Sequence, residues 1–88
     1  METITVSKDK DGKLVSVDES CKIMGVVPVP DLNLGYVLTR ITGAFSTLRY
    51  NVAKVVGEHI DGKNITYELE PLPIPVQQKI FEMYYTRT

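Results

Sequence analysis

The apolar residues between Leu34 and His59 constrain the fold of this chain more than any other feature of its sequence. They recur at spacings of three and four residues, which is the pattern of one face of an α-helix. The sequence therefore predicts a long central helix that begins after Asp31 or Asn33 and ends before Gly62. The apolar positions are Leu34, Val37, Leu38, Ile41, Ala44, Phe45, Leu48, Val52, Val55 and Val56.

The composition of the same segment leaves other interpretations open. Gly35, Gly43 and Gly57 are poor helix formers, as are the several Thr and Val residues between them. A break near Gly43 would divide the helix, and Tyr36–Thr42 could then form a strand. The segment is accordingly one helix, two elements or partly strand.

Two segments alternate apolar and polar residues with the period of a β-strand. Residues 3–18 are expected to form a hairpin, with Gly12 in a turn that requires a positive φ. Residues 63–70 are expected to form a third strand that turns Ile65, Tyr67 and Leu69 to one side.

The remaining segments are short. Asp18 to Gly25 is expected to form one helical turn, and residues 71–75 a rigid, proline-rich spacer. A final short helix is predicted from Val76 to about Tyr85. The predicted fold class is therefore α+β, a single domain over residues 1–88. In this fold, the hairpin and a third antiparallel strand pack on the long central helix and the short C-terminal helix.

The length of the predicted central helix indicates self-association. A helix over residues 34–59 would be about 39 Å long, whereas strands of about six residues span only about 20 Å. The excess apolar surface would be buried most simply in a homodimer or a higher homo-oligomer. The residues predicted to form this interface are Leu34, Val37, Leu38, Ile41 and Phe45.

The residues that usually carry chemistry are few in this chain. Cys21 is the only cysteine and His59 the only histidine, which excludes an intrachain disulfide and makes a structural zinc site improbable. We interpret Cys21 as a small, partly buried residue and His59 as a helix-end residue. No glycine-rich phosphate-binding motif occurs. The sequence therefore predicts no enzyme, no catalytic residue, no metal and no cofactor.

The leading functional prediction is a non-enzymatic protein-binding module, such as a small adaptor, inhibitor or assembly subunit. Leu72 and Ile74 lie on a pre-extended backbone suited to docking into a groove, and aromatic residues follow them. The residues predicted to contact a larger protein partner are Leu72, Ile74, Phe81, Tyr84 and Tyr85.

Two alternative functions remain. A weakly basic helix face could contact nucleic acid through Arg40, Arg49, Tyr50 and Lys54, although the net charge of −1 provides no basic footprint. A small ligand could also bind at an oligomer interface. The beginning of the chain lacks the layout of a signal peptide, and no apolar run reaches the roughly 20 residues of a membrane span. We therefore expect a cytoplasmic protein.

Overall fold

Most of the chain forms antiparallel strands in the computed structural model, which describes residues 2–18, 20–43 and 48–84. A 3₁₀ turn over Pro30–Leu32 connects the third and fourth strands, and one α-helix follows the last strand. The elements within the described residues are β1 (Glu2–Lys8), β2 (Leu14–Ser16), β3 (Cys21–Pro28), β4 (Tyr36–Thr42), β5 (Arg49–Asp61), β6 (Asn64–Pro71) and α1 (Ile74–Tyr84).

The strands form a single sheet in the order β2-β1-β6-β5-β4-β3, and every neighbouring pair is antiparallel. The sheet curls until its two edge strands, β2 and β3, lie side by side. No hydrogen-bonded ladder joins these two strands among the described residues. The fold is therefore a small barrel that is closed except along one seam.

The inner face of the barrel holds the larger part of the core. Cross-strand neighbours such as Ile4 with Tyr67 and Leu38 with Ala53 lie on this face, as their pairing in the ladders requires. Their apolar side chains fill the interior and exclude water from it. The buried residues of this inner core are Val6, Ile23, Leu38, Ala53, Tyr67 and Leu69.

The outer face of the sheet has two different halves. On the β3-β4-β5 half, α1 buries Ile80 against Val37 and Val52, and all three side chains are fully buried. On the β2-β1-β6 half the outward residues of β1 and β6 are polar, and the hydroxyls of Thr5 and Thr66 lie 3.1 Å apart across the ladder. The outward residue of β2, Val15, is apolar and 47% exposed. One helix is therefore sufficient to cover the apolar half, and the other half faces water.

The predicted α+β fold with a long central helix is wrong, because β4 and β5 occupy most of residues 34–59. β4 and residues 52–55 of β5 are covered on two sides, by the inner core and by α1. Consecutive residues such as Val37 and Leu38 are therefore both buried. Pairs of adjacent buried residues, repeated along the strands, produce the three- and four-residue spacings of a helix although no helix is present there.

The alternative prediction for residues 34–59, in which part of the segment is a strand, was closer to the structure. The strand considered for Tyr36–Thr42 has the bounds of β4. The β-branched residues and glycines that weakened the helix prediction are those expected of strands and turns. Phe45 and the other residues at 44–47 lie outside the described residues.

The predictions for the two ends of the chain are mostly confirmed. β1 and β2 form the expected hairpin, with Gly12 at a φ of +81° in its turn. β6 and α1 lie close to their predicted bounds, although Tyr85 lies outside the described residues. The helical turn expected at Asp18–Gly25 is wrong, because β3 begins at Cys21. As an edge strand, β3 can accommodate Pro28 at its end.

Candidate functional site

The seam between β2 and β3 exposes backbone hydrogen-bonding groups on both of its walls. The amide of Val17 donates to the carbonyl of Thr5, and the amide of Gly43 donates to the carbonyl of Ser20. In an antiparallel ladder, hydrogen-bonded pairs of residues alternate with non-hydrogen-bonded pairs. These two bonds therefore show which residues of β2 are hydrogen-bonded to β1 and which residues of β3 are hydrogen-bonded to β4. The backbone groups of Leu14 and Ser16 on β2, and of Ile23 on β3, consequently point into the seam.

A cleft of about 380 Å³ lies along this seam. It is lined on the inner side by Leu14, Cys21 and Ile23, which also contact the inner core, and by the buried Ser16. On the outer side it is lined by the exposed Val15, Lys13 and Lys22. The cleft therefore combines a mostly apolar inner row, an outer row with two lysines, and a backbone edge on each wall. We call it the seam cleft.

A second cavity of about 380 Å³ lies beside the seam cleft, at the mouth of the barrel. Across this mouth the guanidinium of Arg40 on β4 contacts the carboxylate of Glu2 on β1 at 2.7 Å. The Arg40 side chain is 12% exposed and that of Glu2 is 51% exposed. This ion pair therefore connects strands that are three places apart in the sheet.

A chain of side-chain hydrogen bonds leads from this mouth to α1. Arg40 donates its Nε to Asn51 Oδ1 at 3.3 Å, and Asn51 Nδ2 donates to Gln77 Oε1 at 3.4 Å. Gln77 Oε1 also accepts from the amide of Val52 at 3.1 Å, and Gln77 Nε2 donates to the carbonyl of Leu72 at 2.9 Å. The side-chain amide of Gln77 thus replaces the peptide group that β6 would provide if it continued past Pro71.

No sequence pattern singles out Gln77, because a polar residue in a short amphipathic helix is usually exposed. Its side chain is 8% exposed. The available signal was the proline-rich segment before α1, since prolines end a ladder and leave the neighbouring strand with unpaired backbone groups.

The residues predicted for self-association do not form a common exposed surface. Val37 is buried beneath α1 and Leu38 in the inner core, so both are covered by the chain itself. Leu34 is half-buried against the cluster beneath α1, and Ile41 is half-buried on β4. Phe45 lies outside the described residues. The helix surface on which this prediction depended does not exist.

The residues predicted to contact a partner divide into two groups. Leu72 and Phe81 pack against the cluster beneath α1, where Phe81 also meets the Tyr50 ring edge-on at 5.6 Å. Ile74 is 63% exposed at the start of α1. Tyr84 is partly exposed and donates its hydroxyl to the carbonyl of Pro28 at 2.7 Å. Tyr85 lies outside the described residues.

The start of α1 borders an apolar groove of about 370 Å³. Leu32, Leu34, Pro75 and Val76 line this groove, and Lys79 lies at its rim. Unlike the seam cleft, the groove presents no strand edge. It offers only an apolar contact.

The residues predicted for nucleic acid are not brought together on one face. Arg40 lies on the inner face of the sheet at the barrel mouth, paired with Glu2. Tyr50 and Lys54 share the outer face with Val52, because alternate residues of a strand point the same way. Arg49 is exposed on β5, directly across the ladder from Thr42. The predicted basic face is therefore split between the two sides of the sheet.

The single histidine and the single cysteine lie on different strands. His59 is exposed in β5 opposite Thr66, so its interpretation as a helix-end residue is wrong. Cys21 is half-buried between the seam cleft and the mouth cavity, as its interpretation proposed. Among the described residues, no group of three or more His, Cys, Asp and Glu side chains could hold a metal ion.

Two ionisable side chains have shifted pKa values for visible reasons. Hydrogen bonds from the amide of Ser20, at 3.0 Å, and from its hydroxyl, at 2.8 Å, lower the pKa of Asp18. Burial in the inner core, with a smaller contribution from the Glu58 carboxylate, raises the pKa of Tyr67. Asp18 is thus kept ionised in the loop before β3, and Tyr67 is kept neutral.

Comparison of the chain with protein families, with curated proteins and with solved structures finds no match. In the described parts of the chain, no helix combines the length and the apolar character that crossing a membrane requires.

Proposed function

We propose that this domain is a non-enzymatic protein-binding module that takes an extended segment of another protein into the seam cleft as an additional strand. One observation carries the proposal. Both walls of the seam present backbone groups that no ladder pairs, beside a cleft of about 380 Å³. Addition of a strand to an open sheet edge is a common mode of peptide recognition.

The guest segment would gain two kinds of contact. Its backbone would hydrogen-bond to Leu14 and Ser16 on one wall and to Ile23 on the other. Its inward side chains would contact the inner core, where the half-buried Leu14 and Cys21 border the cleft. Since neighbouring strands lie about 4.8 Å apart, a strand between both walls sets them about 10 Å apart. Binding therefore widens the seam.

A synthetic heptapeptide that alternates valine and threonine tests this function without assuming a charge preference. We expect its addition to slow hydrogen exchange at the amides of Leu14, Ser16 and Ile23, measured by NMR. The same peptide with its alternate amides N-methylated is the control, because it keeps its side chains but loses the donors that a strand presents to one of the two walls. Equal binding of both peptides, or no protection at the three amides, would contradict the proposal.

The thiol of Cys21 gives a second measurement on the unmodified protein. It borders the seam cleft and is the only cysteine of the chain. A bound segment should slow its reaction with an aromatic disulfide reagent, and the N-methylated peptide should not. A reaction rate that the valine–threonine peptide leaves unchanged would place that peptide away from the seam.

The broader predictions from the sequence belong to this proposal. A strand-accepting module suits a small adaptor, inhibitor or assembly subunit, and a single unpaired cysteine suits the reducing cytoplasm. Self-association also remains a prediction, now without the central helix as its interface. Sedimentation equilibrium at high micromolar concentration tests it directly, and a strict monomer would end it.

A further inference from the structure

We infer that the segment bound in the seam cleft is acidic at its outward positions and apolar at its inward positions. This inference rests on the proposed function and adds the chemistry of the partner. Its basis is the difference between the two rows of side chains that border the cleft.

The outer row of the seam cleft is positively charged. Lys13, just before β2, and Lys22, on β3, border the cleft from opposite walls, and both are exposed. Among the described residues that line the cleft, none is acidic. Neither lysine forms an ion pair with a described residue. The two ammonium groups are therefore available to the outward side chains of a guest strand.

Among the described residues, the acidic side chains around the cleft are engaged elsewhere or do not line it. The Asp9 carboxylate accepts the amides of Asp11 and Lys13, each at 2.9 Å, within the β1–β2 turn. Asp18 and Glu2 line the neighbouring mouth cavity. There, the Asp18 carboxylate accepts a hydrogen bond from the amide of Ser20, and the Glu2 carboxylate forms an ion pair with Arg40. Asp11, the remaining acidic residue of the β1–β2 turn, is exposed and does not line the cleft. The side chains that line the cleft thus favour an acidic guest over a basic one.

The inner row requires the opposite chemistry. Three of its four residues, Leu14, Cys21 and Ile23, are apolar, and Ile23 is 8% exposed. The fourth is the buried Ser16, whose Oγ accepts the amide of Asp18 at 3.1 Å. Because alternate side chains of a strand point to opposite sides, a guest strand presents every second residue to this row. A carboxylate placed there would lose its hydration and meet mainly apolar groups. The fitting segment therefore alternates apolar and acidic residues.

Two heptapeptides that differ only in charge test this inference. One alternates valine and glutamate, the other valine and lysine, and their affinities are measured by calorimetry in low salt. We expect the acidic peptide to bind about three- to tenfold more tightly, the range for exposed ion pairs. The preference should fade toward 0.5 M salt, because exposed charges are then screened.

Charge reversal in the protein provides the matched test. Lys22→Glu should abolish the preference for the acidic peptide, because one positive and one negative charge then border the cleft, whereas Lys79→Glu, on α1 and away from the seam, should leave it unchanged. Both variants replace an exposed lysine by glutamate. Thermal unfolding of each variant shows whether it retains the fold.

Failure of the charge inference and failure of the proposed function would give different results in these experiments. If the valine–threonine, valine–glutamate and valine–lysine peptides all protect the seam amides with equal affinity, the charge inference is wrong and the proposed function stands. If none of the three peptides protects these amides, the proposed function is wrong, and the charge inference, which rests on it, is wrong as well. An acidic preference that Lys22→Glu does not alter would also overturn the inference, because the charge would act elsewhere.

Discussion

Gln77 illustrates how a single side chain completes the backbone hydrogen bonding of this barrel. β6 ends at Pro71, so the amide of Val52 on the neighbouring strand loses its ladder partner. The side-chain amide of Gln77 accepts from Val52 and donates to Leu72, as a peptide group would. A buried backbone group without a partner costs about 1–3 kcal/mol, so a residue with both a donor and an acceptor is needed here.

Replacement of Gln77 by leucine should destabilise the protein by about 2–3 kcal/mol. The substitution keeps the size of the side chain but leaves the Val52 amide and the Leu72 carbonyl unpaired. Urea unfolding gives the difference in unfolding free energy. Gln78→Leu, an exposed change at the next position of α1, is the control and should shift it by less than about 0.5 kcal/mol. Equal effects of the two substitutions would show that Gln77 does not bridge these groups.

Tyr67 should make the stability of the protein fall at alkaline pH. Its pKa is raised above the model-peptide value of 10.0, chiefly by burial, so the folded protein holds the phenolic proton more tightly than the unfolded chain. The stabilisation is fully present below pH 10 and is lost as the pH rises through the folded pKa.

The unfolding free energy of Tyr67→Phe, compared with that of the wild type between pH 8 and about pH 11, isolates this contribution. The wild type should lose stability relative to the variant as the pH rises. Tyr36→Phe, which removes the hydroxyl of an exposed tyrosine, is the matched control. A constant difference between wild type and Tyr67→Phe over this range would mean that the phenol titrates alike in both states.

The sequence could predict the inner-core residues of β6, but it could not predict the side-chain hydrogen bonds of Arg40 and Gln77. The alternation of Ile65, Tyr67 and Leu69 identified the inward side of β6, where all three contact the inner core. Arg40 and Gln77 gave no local signal, since each is held by residues distant in the sequence. A polar side chain is buried only where the fold supplies a partner, and sequence patterns do not contain that information.

At the level of the elements, β4 and β5 explain why a helix was predicted where strands occur. β4 and residues 52–55 of β5 are covered on both faces, so apolar residues there are not confined to alternate positions. The period-of-two signal survives only where one face meets water, as on β1 and β6. These were the strands that the sequence predicted. The C-terminal helix was predictable as well, because only one of its faces is apolar.

The docking of α1 should depend on Ile80. This side chain is fully buried against Val29, Val37 and Val52, so Ile80→Ala should lower the unfolding free energy by about 2–4 kcal/mol. Ile74→Ala removes the same atoms from a residue of the same helix that is 63% exposed, and should cost less than about 1 kcal/mol. Denaturant unfolding of both variants measures the contrast, and similar losses would mean that α1 is not packed as described.

For the molecule as a whole, barrel closure is what the sequence could least predict. β2 and β3 are adjacent in the chain but lie at opposite ends of the sheet order, so their proximity depends on the curl of all six strands. β2 has only three residues, and the ladder between β3 and β4 is irregular between Ile23 and Gly25. Short strands and bulges are how natural sheets protect their edges, and here they leave the edges unjoined.

The seam explains how a chain of this small size could bind a specific partner. A closed barrel offers no backbone edge to a partner, whereas an open sheet risks pairing indiscriminately. A seam flanked by Lys13 and Lys22 would favour a segment of suitable chemistry. The binding proposal therefore depends on one structural claim, that β2 and β3 lie side by side without hydrogen-bonding to each other.

Amide hydrogen exchange in the free protein, measured residue by residue by NMR, tests this claim most directly. Val15 and Lys22 lie on the same two strands but donate to β1 and β4, so they are internal controls. We expect the amides of Leu14, Ser16 and Ile23 to exchange much faster than these controls. Exchange of Leu14, Ser16 and Ile23 as slow as that of Val15 and Lys22 would show that the seam is closed by a ladder, and would contradict the account.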